Sequence, residues 1–243
     1  MSKLFVVGMG PGSPAHMTAA CRAALDQADV IIGYTKYIEI IKTLYPAKRM
    51  LDTPMTREVE RCSAALGMAQ MGDTVAVICS GDAGVYGMAG LILELSCEYP
   101  AVDITIVPGV TAALSGAALL GAPLTHDFAV ISLSDLLTPW ELIEKRLHCA
   151  AMADFCIALY NPASKKRSDY LMKACDILLR HKSPDTICGV TRNIGRTDEQ
   201  KQVLTLLELR GASVDMFSTI FIGNAQTKQT AGGMVTPRGY QID

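Results

Sequence analysis

The sequence lacks several motifs that would assign its chemistry at once. None of its eight cysteines forms a C-x-x-C pair, so the common spacing of zinc ligands is absent. No G-x-x-x-x-G-K-[ST] sequence occurs, which argues against a P-loop nucleotide site. The first glycine loop is not the dinucleotide motif G-x-G-x-x-G, because Ser13 stands at the third glycine position. The second predicted strand, 30–32, is followed by Gly33 and Tyr34 and not by the acidic residue that holds a ribose. This argues against a dinucleotide site and against the common Rossmann-like methyltransferase.

Aromatic residues and net charge are also scarce. Aromatics make up 6% of the chain and the formal net charge is -2, so we expect no general affinity for nucleic acid or an acidic membrane. The apolar stretch 110–124 contains Thr111 and Ser115 and is too short to span a bilayer. We expect a buried helix there. The first residues have no signal-peptide core, and most cysteines stand in helical or strand patterns as small buried hydrophobes, which suits a reduced compartment. We therefore expect a cytoplasmic protein.

Short apolar runs alternate with amphipathic segments along the chain. Half of the residues are hydrophobic, and β-branched runs such as residues 74–79 suit strands that are buried on both faces of a parallel sheet. The alternation changes character near residue 121, where Gly-Ala-Pro stands. We predict an α/β protein of two domains. The first, over 1–120, has a mostly parallel sheet, and the second, over 121–243, has a mixed sheet.

Turn-forming sequences follow four of the predicted strands, at residues 8–12, 80–84, 108–112 and 160–162. In open α/β sheets, ligands bind at the carboxyl ends of strands. Glycine-rich turns at that edge present backbone N–H and C=O groups to a ligand. Each turn alone is also compatible with an ordinary loop, with Asp82 capping the next helix. Four together indicate one ligand that is met largely by backbone atoms.

Three of these turns resemble a known family. The patterns V-x-G-x-G-P-G at 6–12, G-D-x-x-x-Y at 81–86 and P-G-x-T-A at 108–112 are similar, in order and spacing, to those of the tetrapyrrole (class III) S-adenosylmethionine-dependent methyltransferases. The resemblance covers essentially the whole chain. The strings S-L-S-D-L-L-T-P-W at 132–140, Y-N-P-A-S at 160–164 and T-P-R-G-Y at 236–240 are similar to its precorrin-3B C-17-methyltransferase branch.

The resemblance implies a cofactor, a substrate and a reaction. It implies S-adenosylmethionine in the cleft between two α/β domains, a homodimer, and methylation of a precorrin-3 macrocycle at carbon 17 with ring contraction, a step of cobalamin biosynthesis. No metal is expected to serve the reaction. Ring contraction requires proton movement, for which Asp82, Tyr86 and the ligand's own side-chain carboxylates are the candidates. Carried over residue by residue, the cofactor contacts are Pro11, Gly81, Asp82, Ala83, Tyr86, Thr111, Ala112, Tyr160, Asn161, Gly189 and Val190.

A polycarboxylate macrocycle requires cationic partners, of which arginine is the best suited because it pairs in a bidentate manner. Most of the candidates follow predicted strands, where a ligand would lie. The predicted substrate-binding residues are Lys165, Lys166, Arg167, Arg192, Arg196 and His126. The alternative for each is a solvated surface side chain.

Three other functions stay open at this point. Within the same superfamily, the chain could be a diphthine synthase or a ribosomal-RNA ribose methyltransferase, although the long strings at 132–140 and 160–164 argue against both. From another class, it could be a tetrapyrrole-binding module without catalytic activity. The sequence does not decide whether the macrocycle already carries cobalt.

Overall fold

Two α/β units follow one another along the chain. The computed structural model describes residues 2–164 and 168–241, and it divides into Met1–Thr111 and Ala112–Asp243. The division precedes the helix at 112–120, which the sequence analysis assigned to the first domain. The domain boundary at 120/121 stays a prediction. Lys165, Lys166 and Arg167 lie outside the described residues.

A sheet of five parallel strands forms the first unit. The strand order is β3-β2-β4-β1-β5, and each pair of neighbours is parallel, as the alternating pattern predicted. The elements are β1 (Lys3–Gly8), α1 (Ala19–Gln27), β2 (Val30–Tyr34), α2 (Thr35–Lys42), β3 (Arg49–Thr53), α3 (Glu58–Gln70), β4 (Thr74–Cys79), α4 (Ala89–Leu95) and β5 (Asp103–Val107).

Helices cover both faces of this sheet. Alternate residues of β1 point to opposite faces, so Leu4 and Val6 join one core cluster while Phe5 and Val7 join the other. The first cluster contains residues of α3 and α4, and the second contains residues of α1 and α2. Burial on both faces explains why β1, β2 and β4 read as continuous apolar runs. The carboxyl ends of these strands are left for the loops.

The second unit is built on a mixed sheet in the order β10-β9-β11-β8-β7, as predicted. Only β7 and β8 pair in parallel within it. A small sheet, β12-β13-β6, accompanies it. The elements are α5 (Ala112–Leu120), β6 (Gly121–Ala122), β7 (Phe128–Ser132), α6 (Trp140–Met152), β8 (Cys156–Tyr160), α7 (Tyr170–Leu178), β9 (Ile187–Arg192), β10 (Gln200–Thr205), α8 (Leu206–Leu209), β11 (Ser218–Ile222), β12 (Lys228–Thr230) and β13 (Gly233–Val235).

Helix α5 packs unusually close to the mixed sheet. A Cβ on Gly116 would lie 2.7 Å from Thr191 Oγ1 and 2.8 Å from the Phe221 ring. The small residues of α5 permit this approach, whereas α6, α7 and α8 pack against the cluster of larger side chains on the sheet's other face. The segment 110–124, expected to be a buried helix, is thus α5 followed by β6.

Some features differ from the sequence interpretation in detail. The sequence predicts Pro139 as the first helical residue of α6, the position that proline favours. The structure makes it the N-cap, a difference of one residue of the size that is usual at helix ends. The short strands β6, β12 and β13 were not foreseen, because two or three residues carry no readable periodicity. In the part of the chain that the structure describes, no helix is long and apolar enough to cross a membrane.

Candidate functional site

Three loops lie at the carboxyl edge of the first unit's sheet, after the adjacent strands β4, β1 and β5. The loops after β1 and β4 are joined by a pair of backbone hydrogen bonds. The N–H of Gly10 donates to the carbonyl of Gly81 (3.0 Å), and the N–H of Gly81 donates to the carbonyl of Gly10 (2.8 Å). Both glycines have positive φ, 80° and 68°, which glycine adopts without steric cost. The buried Pro11 follows directly in the first loop.

The loops after β1, β4 and β5 approach one another so closely that no side chain fits between them. A Cβ on Gly109 would lie 2.2 Å from the carbonyl oxygen of Gly81 and 2.5 Å from that of Gly8. A Cβ on Gly8 would lie 2.7 Å from the Gly109 nitrogen. These neighbours are all backbone atoms, which cannot rotate away as a flexible side chain could. Glycine at positions 8 and 109 is therefore required by packing.

The carboxylate of Asp82 ties two of the loops together. Its Oδ1 accepts hydrogen bonds from the N–H groups of Gly84 (2.8 Å) and Val85 (3.2 Å), and its Oδ2 accepts one from Gly109 (2.9 Å). Hydrogen bonds to an ionised acceptor are stronger than neutral ones, so the carboxylate fixes both turns. It does not cap α4, whose N-cap residue is Met88.

Ala83 and Tyr86 occupy the same turn in opposite environments. Ala83 is fully buried, and its carbonyl accepts a hydrogen bond from the N–H of Ala89 at the start of α4 (3.0 Å). Tyr86 is 55% exposed and has φ 56°, a left-handed conformation that is uncommon outside glycine. Such backbone strain is found preferentially at functional sites. Thr111, the last residue of the first unit, lies half-buried at the end of the loop after β5.

A buried arginine beside this turn was missed by the sequence analysis. Arg61 of α3 is 4% exposed, and its guanidinium donates to the hydroxyl of Thr53 (2.7 Å), the carbonyl of Pro54 (3.1 Å) and the sulfur of Met88 (3.8 Å). It thereby connects the end of β3 to the residue that precedes α4. No sequence signal could have found it, because a charged residue on an amphipathic helix normally indicates the solvent face.

The second unit gathers further predicted residues at the carboxyl ends of β7 and β8. The N–H of Ala113, adjacent to Ala112, donates to the hydroxyl of Tyr160 (2.7 Å). Asn161 has φ 53°, and its side-chain amide donates to the hydroxyl of Ser132 (2.9 Å). Ala112, Tyr160 and Asn161 are thus brought together within this unit.

Gly189 and Val190 lie inside β9 and not in a turn. A Cβ on Gly189 would meet the side chain of Leu120 at 2.5 Å and the sulfur of Met234 at 3.0 Å, so this glycine has a packing role. Val190 pairs with Ile220 of β11, which in turn pairs with the residue preceding Tyr160. Both residues therefore lie inside the sheet, at least two positions before the carboxyl edge at which Asn161 lies.

The string 132–140 is organised by a hydrogen bond that was not foreseen. The hydroxyl of Tyr170 donates to Asp135 (2.5 Å), and the ring of Trp140 lies 4.7 Å from the Tyr170 ring, centroid to centroid. The hydrogen bond to Asp135 raises the pKa of Tyr170 above its ordinary value. The loop after β7 is therefore attached to the start of α7, which adds Asp135 and Tyr170 to the candidate site residues.

The two predicted arginines at the end of β9 and in the loop after it have different surroundings. Arg192 is held by Asp215, with Nε and Nη2 each 2.8 Å from Oδ2. Burial raises the pKa of Asp215, but the hydrogen bonds from Arg192, Phe217 and Ser218 outweigh it and leave the pKa below its ordinary value. Arg196 lies further along the loop, its guanidinium 5.0 Å from the centroid of the Phe217 ring.

The structure does not bring His126 together with the other candidates. It immediately precedes Asp127 and β7, at the end of the strand opposite to Ser132. Its Nδ1 accepts a hydrogen bond from the N–H of Asp127 (2.9 Å) and lies 3.7 Å from that residue's carboxylate. Nothing in this geometry links His126 to the carboxyl edge of the sheet.

Cysteine and metal chemistry are not indicated in the part of the chain that is described. Among residues 2–164 and 168–241, no group of three or more His, Cys, Asp or Glu side chains is arranged to hold a metal ion. Cys79, directly before the Gly81 turn, is 4% exposed, and burial raises the pKa of its thiol to about 11. It is therefore a neutral packing residue at pH 7.

The fold and these strand-end turns define a class of enzyme. Residues 3–210 match the family described as Tetrapyrrole (Corrin/Porphyrin) Methylases, so the chain belongs to that family. The family resemblance of the three glycine turns is thereby confirmed, as is the predicted methyltransferase class.

Individual relatives are similar to the chain over almost its whole length. The chain is 48% identical over 240 residues to the probable cobalt-factor III C(17)-methyltransferase of Salmonella typhimurium, covering 98% of this chain and 100% of the relative. It is 46% identical over 244 residues to the cobalt-factor III methyltransferase of Priestia megaterium, covering 98% of this chain but 45% of that longer protein. A solved structure, that of the methyltransferase CobJ, superposes with a TM-score of 0.89 at 37% identity, covering 96% of this chain and 99% of that one.

Proposed function

We propose that this protein transfers a methyl group from S-adenosylmethionine to ring carbon 17 of a cobalt-containing precorrin-3 macrocycle, coupled to ring contraction, as a step of cobalamin biosynthesis. The observation that carries the proposal is the 48% identity to the Salmonella relative across that protein's whole length. The names of the two curated relatives favour a substrate that already holds cobalt. That is the question which the sequence alone left open.

The cofactor contacts we propose are those implied by the family motifs: Pro11, Gly81, Asp82, Ala83, Tyr86, Thr111, Ala112, Tyr160, Asn161, Gly189 and Val190. The fit is supported by the three loops of the first unit, where glycine is required at the contacts and the turns are held by Asp82. Such a cradle leaves a ligand to be met by backbone atoms. When bound, S-adenosylmethionine supplies an electrophilic methyl group, and the protein need not supply a nucleophile of its own.

The role of the chain's own residues is then mainly one of orientation. Methyl transfer is an in-line displacement, and holding two reactants in near-attack geometry can lower a barrier by ~7–11 kcal/mol. A turn fixed by three charge-assisted N–H···O bonds is already in place before the ligand arrives. Pre-organisation of this kind avoids ordering cost on binding.

The proton movements of ring contraction require an acid or base, for which we retain Tyr86 and Asp82. Tyr86 is 55% exposed, so its phenol is reachable by a ligand. The Asp82 carboxylate is already engaged by three N–H groups, which favours a positioning role. Tyr86→Phe should therefore lower the rate of ring contraction more than the affinity for cofactor.

For the substrate carboxylates we propose binding by members of the basic set predicted from the sequence, which is Lys165, Lys166, Arg167, Arg192, Arg196 and His126. The support is chemical, because a macrocycle with several carboxylates must meet cations. Arg192, the last residue of β9, and Arg196, in the loop after it, carry the better structural support, since they lie at the carboxyl end of that strand. The isolated position of His126 makes it the weakest member of the set.

We also infer that the protein works as a homodimer in the cytoplasm. The family resemblance supports the homodimer. The cysteine chemistry supports the cytoplasm, since the structure forms no disulfide among its eight cysteines. Light scattering of the purified protein tests the dimer, and a monomer at working concentration would contradict it.

Methyl transfer itself tests the proposed function. Cobalt-factor III and methyl-labelled S-adenosylmethionine are incubated with the purified chain, and the product is analysed by mass spectrometry and NMR. One labelled methyl at carbon 17 is expected. Binding of both ligands without transfer would favour a tetrapyrrole-binding module instead. A likeness to diphthine synthase at 18% identity concerns the fold alone. A parallel incubation with metal-free precorrin-3 tests the cobalt requirement.

A further inference from the structure

Arg192 is the last residue of β9, and Arg196 lies four positions further on in the loop that follows. Among the residues that the structure describes, only the Arg192 side chain of the two has a hydrogen-bond acceptor. Arg192 makes two contacts of 2.8 Å with the carboxylate of Asp215. Arg196 has neither a hydrogen-bond acceptor nor an ion-pair partner for its side chain among residues 2–164 and 168–241, and its Nε is buried without one. A guanidinium that is partly buried without an acceptor is costly in a folded protein, and each such group calls for an explanation.

The acidic residues that follow Arg196 in the same loop accept hydrogen bonds from other groups. The amide of Asn193 donates to Asp198 (2.5 Å), and the N–H of Gly195 donates to Glu199 (2.7 Å). The N–H of Arg196 itself donates to the carbonyl of Asn193 (2.9 Å). The residues of this loop therefore hydrogen-bond to one another, and none of these bonds involves the Arg196 guanidinium.

The guanidinium is nevertheless held in position. Its central carbon lies 5.0 Å from the centroid of the Phe217 ring, a distance at which cation–π attraction acts. The backbone at Asn193, with φ 53° and its N–H bonded to the carbonyl of Phe217 (3.2 Å), fixes the loop against the start of β11. A side chain restrained in this way loses less rotamer entropy when it binds a ligand.

Arg196 also lies at the edge of the sheet where ligands are expected. Strands β8 and β9 both pair antiparallel with β11, so they run in the same direction and end at the same edge. Asn161 follows β8 and Arg196 follows β9 at that edge. An arginine in this position, without an acceptor among the described residues, has the chemistry of a carboxylate receptor, because its planar fork matches a carboxylate.

We propose that Arg196 binds a side-chain carboxylate of the macrocyclic substrate, and that Arg192 instead fixes the loop through its ion pair with Asp215. The inference rests on the proposed function, since it assigns one residue to substrate recognition in that reaction. It makes Arg196 a specificity-determining residue for an anionic macrocycle.

The test compares Arg196→Ala and Arg196→Lys with Arg180→Ala, which removes one positive charge from an exposed position after α7. Initial rates with cobalt-factor III give KM and kcat for each variant, and calorimetry with S-adenosylhomocysteine gives the cofactor Kd. Thermal melting establishes that each variant is folded. If Arg196→Ala does not fold, Arg196→Gln takes its place.

Arg196→Ala should raise KM for cobalt-factor III about tenfold or more, as loss of a paired charge in a partly desolvated site does. The cofactor Kd should stay within about twofold. Arg196→Lys should recover part of the loss, because the charge remains but the fork is lost. Added salt should raise the wild-type KM more than that of Arg196→Ala. Arg180→Ala should match the wild type.

A KM for Arg196→Ala equal to that of Arg180→Ala would overturn the inference, and so would an equal loss of cofactor affinity. Failure of the proposed function has a different signature, namely no methyl transfer by the wild type. In that event, an absorbance titration of cobalt-factor III into wild type and Arg196→Ala still decides the matter. Equal affinities would overturn the role of Arg196, and weaker binding by the variant would support it.

Discussion

The carboxyl edges of the two sheets are built in different ways. In the first unit, loops meet backbone against backbone, with glycines at positions 8 and 109 whose Cβ atoms would overlap main-chain oxygens. In the second unit, side chains make the contacts: Tyr160 with the N–H of Ala113, Asn161 with Ser132, and Arg192 with Asp215. The first edge therefore depends on the steric fit of backbone to backbone, reinforced by the Asp82 carboxylate, and the second edge depends on polar side-chain partners.

This difference predicts how the two edges respond to substitution. Backbone atoms cannot move aside singly, so a change at a glycine contact displaces a whole turn. Side-chain pairs can be removed one at a time, and an exposed pair contributes little because solvent screens it. The largest effects should therefore fall in the first unit, and the smallest at the ion pairs of the second.

Gly109→Ala should produce the largest effect. The added Cβ would lie 2.2 Å from the carbonyl oxygen of Gly81. Overpacking typically costs ~1–3 kcal/mol, and we expect a loss of about 3 kcal/mol here because the neighbours are backbone atoms. Denaturant unfolding measures the loss. Gly67→Ala is the matched control, because a Cβ there meets nothing within 4 Å. Replacing a glycine inside a helix by alanine raises the free energy of unfolding by ~0.5–1 kcal/mol. Equal stabilities of the two variants would show that the loops after β1, β4 and β5 are not tightly packed.

Asp82→Ala should come next. It leaves the N–H groups of Gly84, Val85 and Gly109 without their acceptor, and solvent can replace only part of what is lost. We expect a loss of about 2 kcal/mol in the free energy of unfolding, within the usual cost of unpaired donors, together with weaker cofactor binding. Unchanged stability in urea would mean that water satisfies these groups and that the carboxylate does not hold the loops.

Tyr160→Phe carries the same test into the second unit. It removes the hydroxyl that accepts from the N–H of Ala113 while keeping the ring in place. One unpaired donor predicts a loss of about 1 kcal/mol, smaller than for Asp82→Ala. A loss larger than that of Asp82→Ala would reverse the ranking of the two edges.

Asp215→Asn should have the smallest effect and a distinct pH dependence. Because the pKa of Asp215 is lowered in the folded protein, its contribution is present above the unfolded pKa of about 3.9 and is lost as the pH falls through the lower folded value. The pair is more than one third exposed on each side, so we expect at most ~1 kcal/mol at pH 7. Urea unfolding of wild type and variant from pH 7 downwards measures it. A difference that grows on acidification would have the wrong sign.

Much of the first unit could be predicted because its signals are local. The strand 74–79 is buried on both faces and therefore apolar throughout, and the turn after it needs glycine for reasons that the sequence displays. The mixed sheet of the second unit was also predicted, although the strand pattern itself indicated only that the alternation changes near residue 121. By contrast, the short strands β6, β12 and β13 exist only through pairing with distant partners.

The partners of charged side chains were the least predictable part of the site. Arg192 and Asp215 are 23 positions apart and meet only because β9 and β11 pair in a particular register. Arg61 of α3 is buried where its guanidinium donates a hydrogen bond to the hydroxyl of Thr53, at the end of β3. Sequence spacing could thus propose Arg192 and Arg196 equally, and the packed structure was needed to distinguish them.

The most direct test of the backbone-built cofactor site is calorimetric titration of S-adenosylhomocysteine with a metal chelator present, on wild type and on Asp82→Ala. The account predicts that the wild type binds with undiminished affinity in the chelator, and that Asp82→Ala binds more weakly because its turns are no longer held. Wild-type binding that disappears with the chelator, or equal affinities of the two proteins, would contradict it.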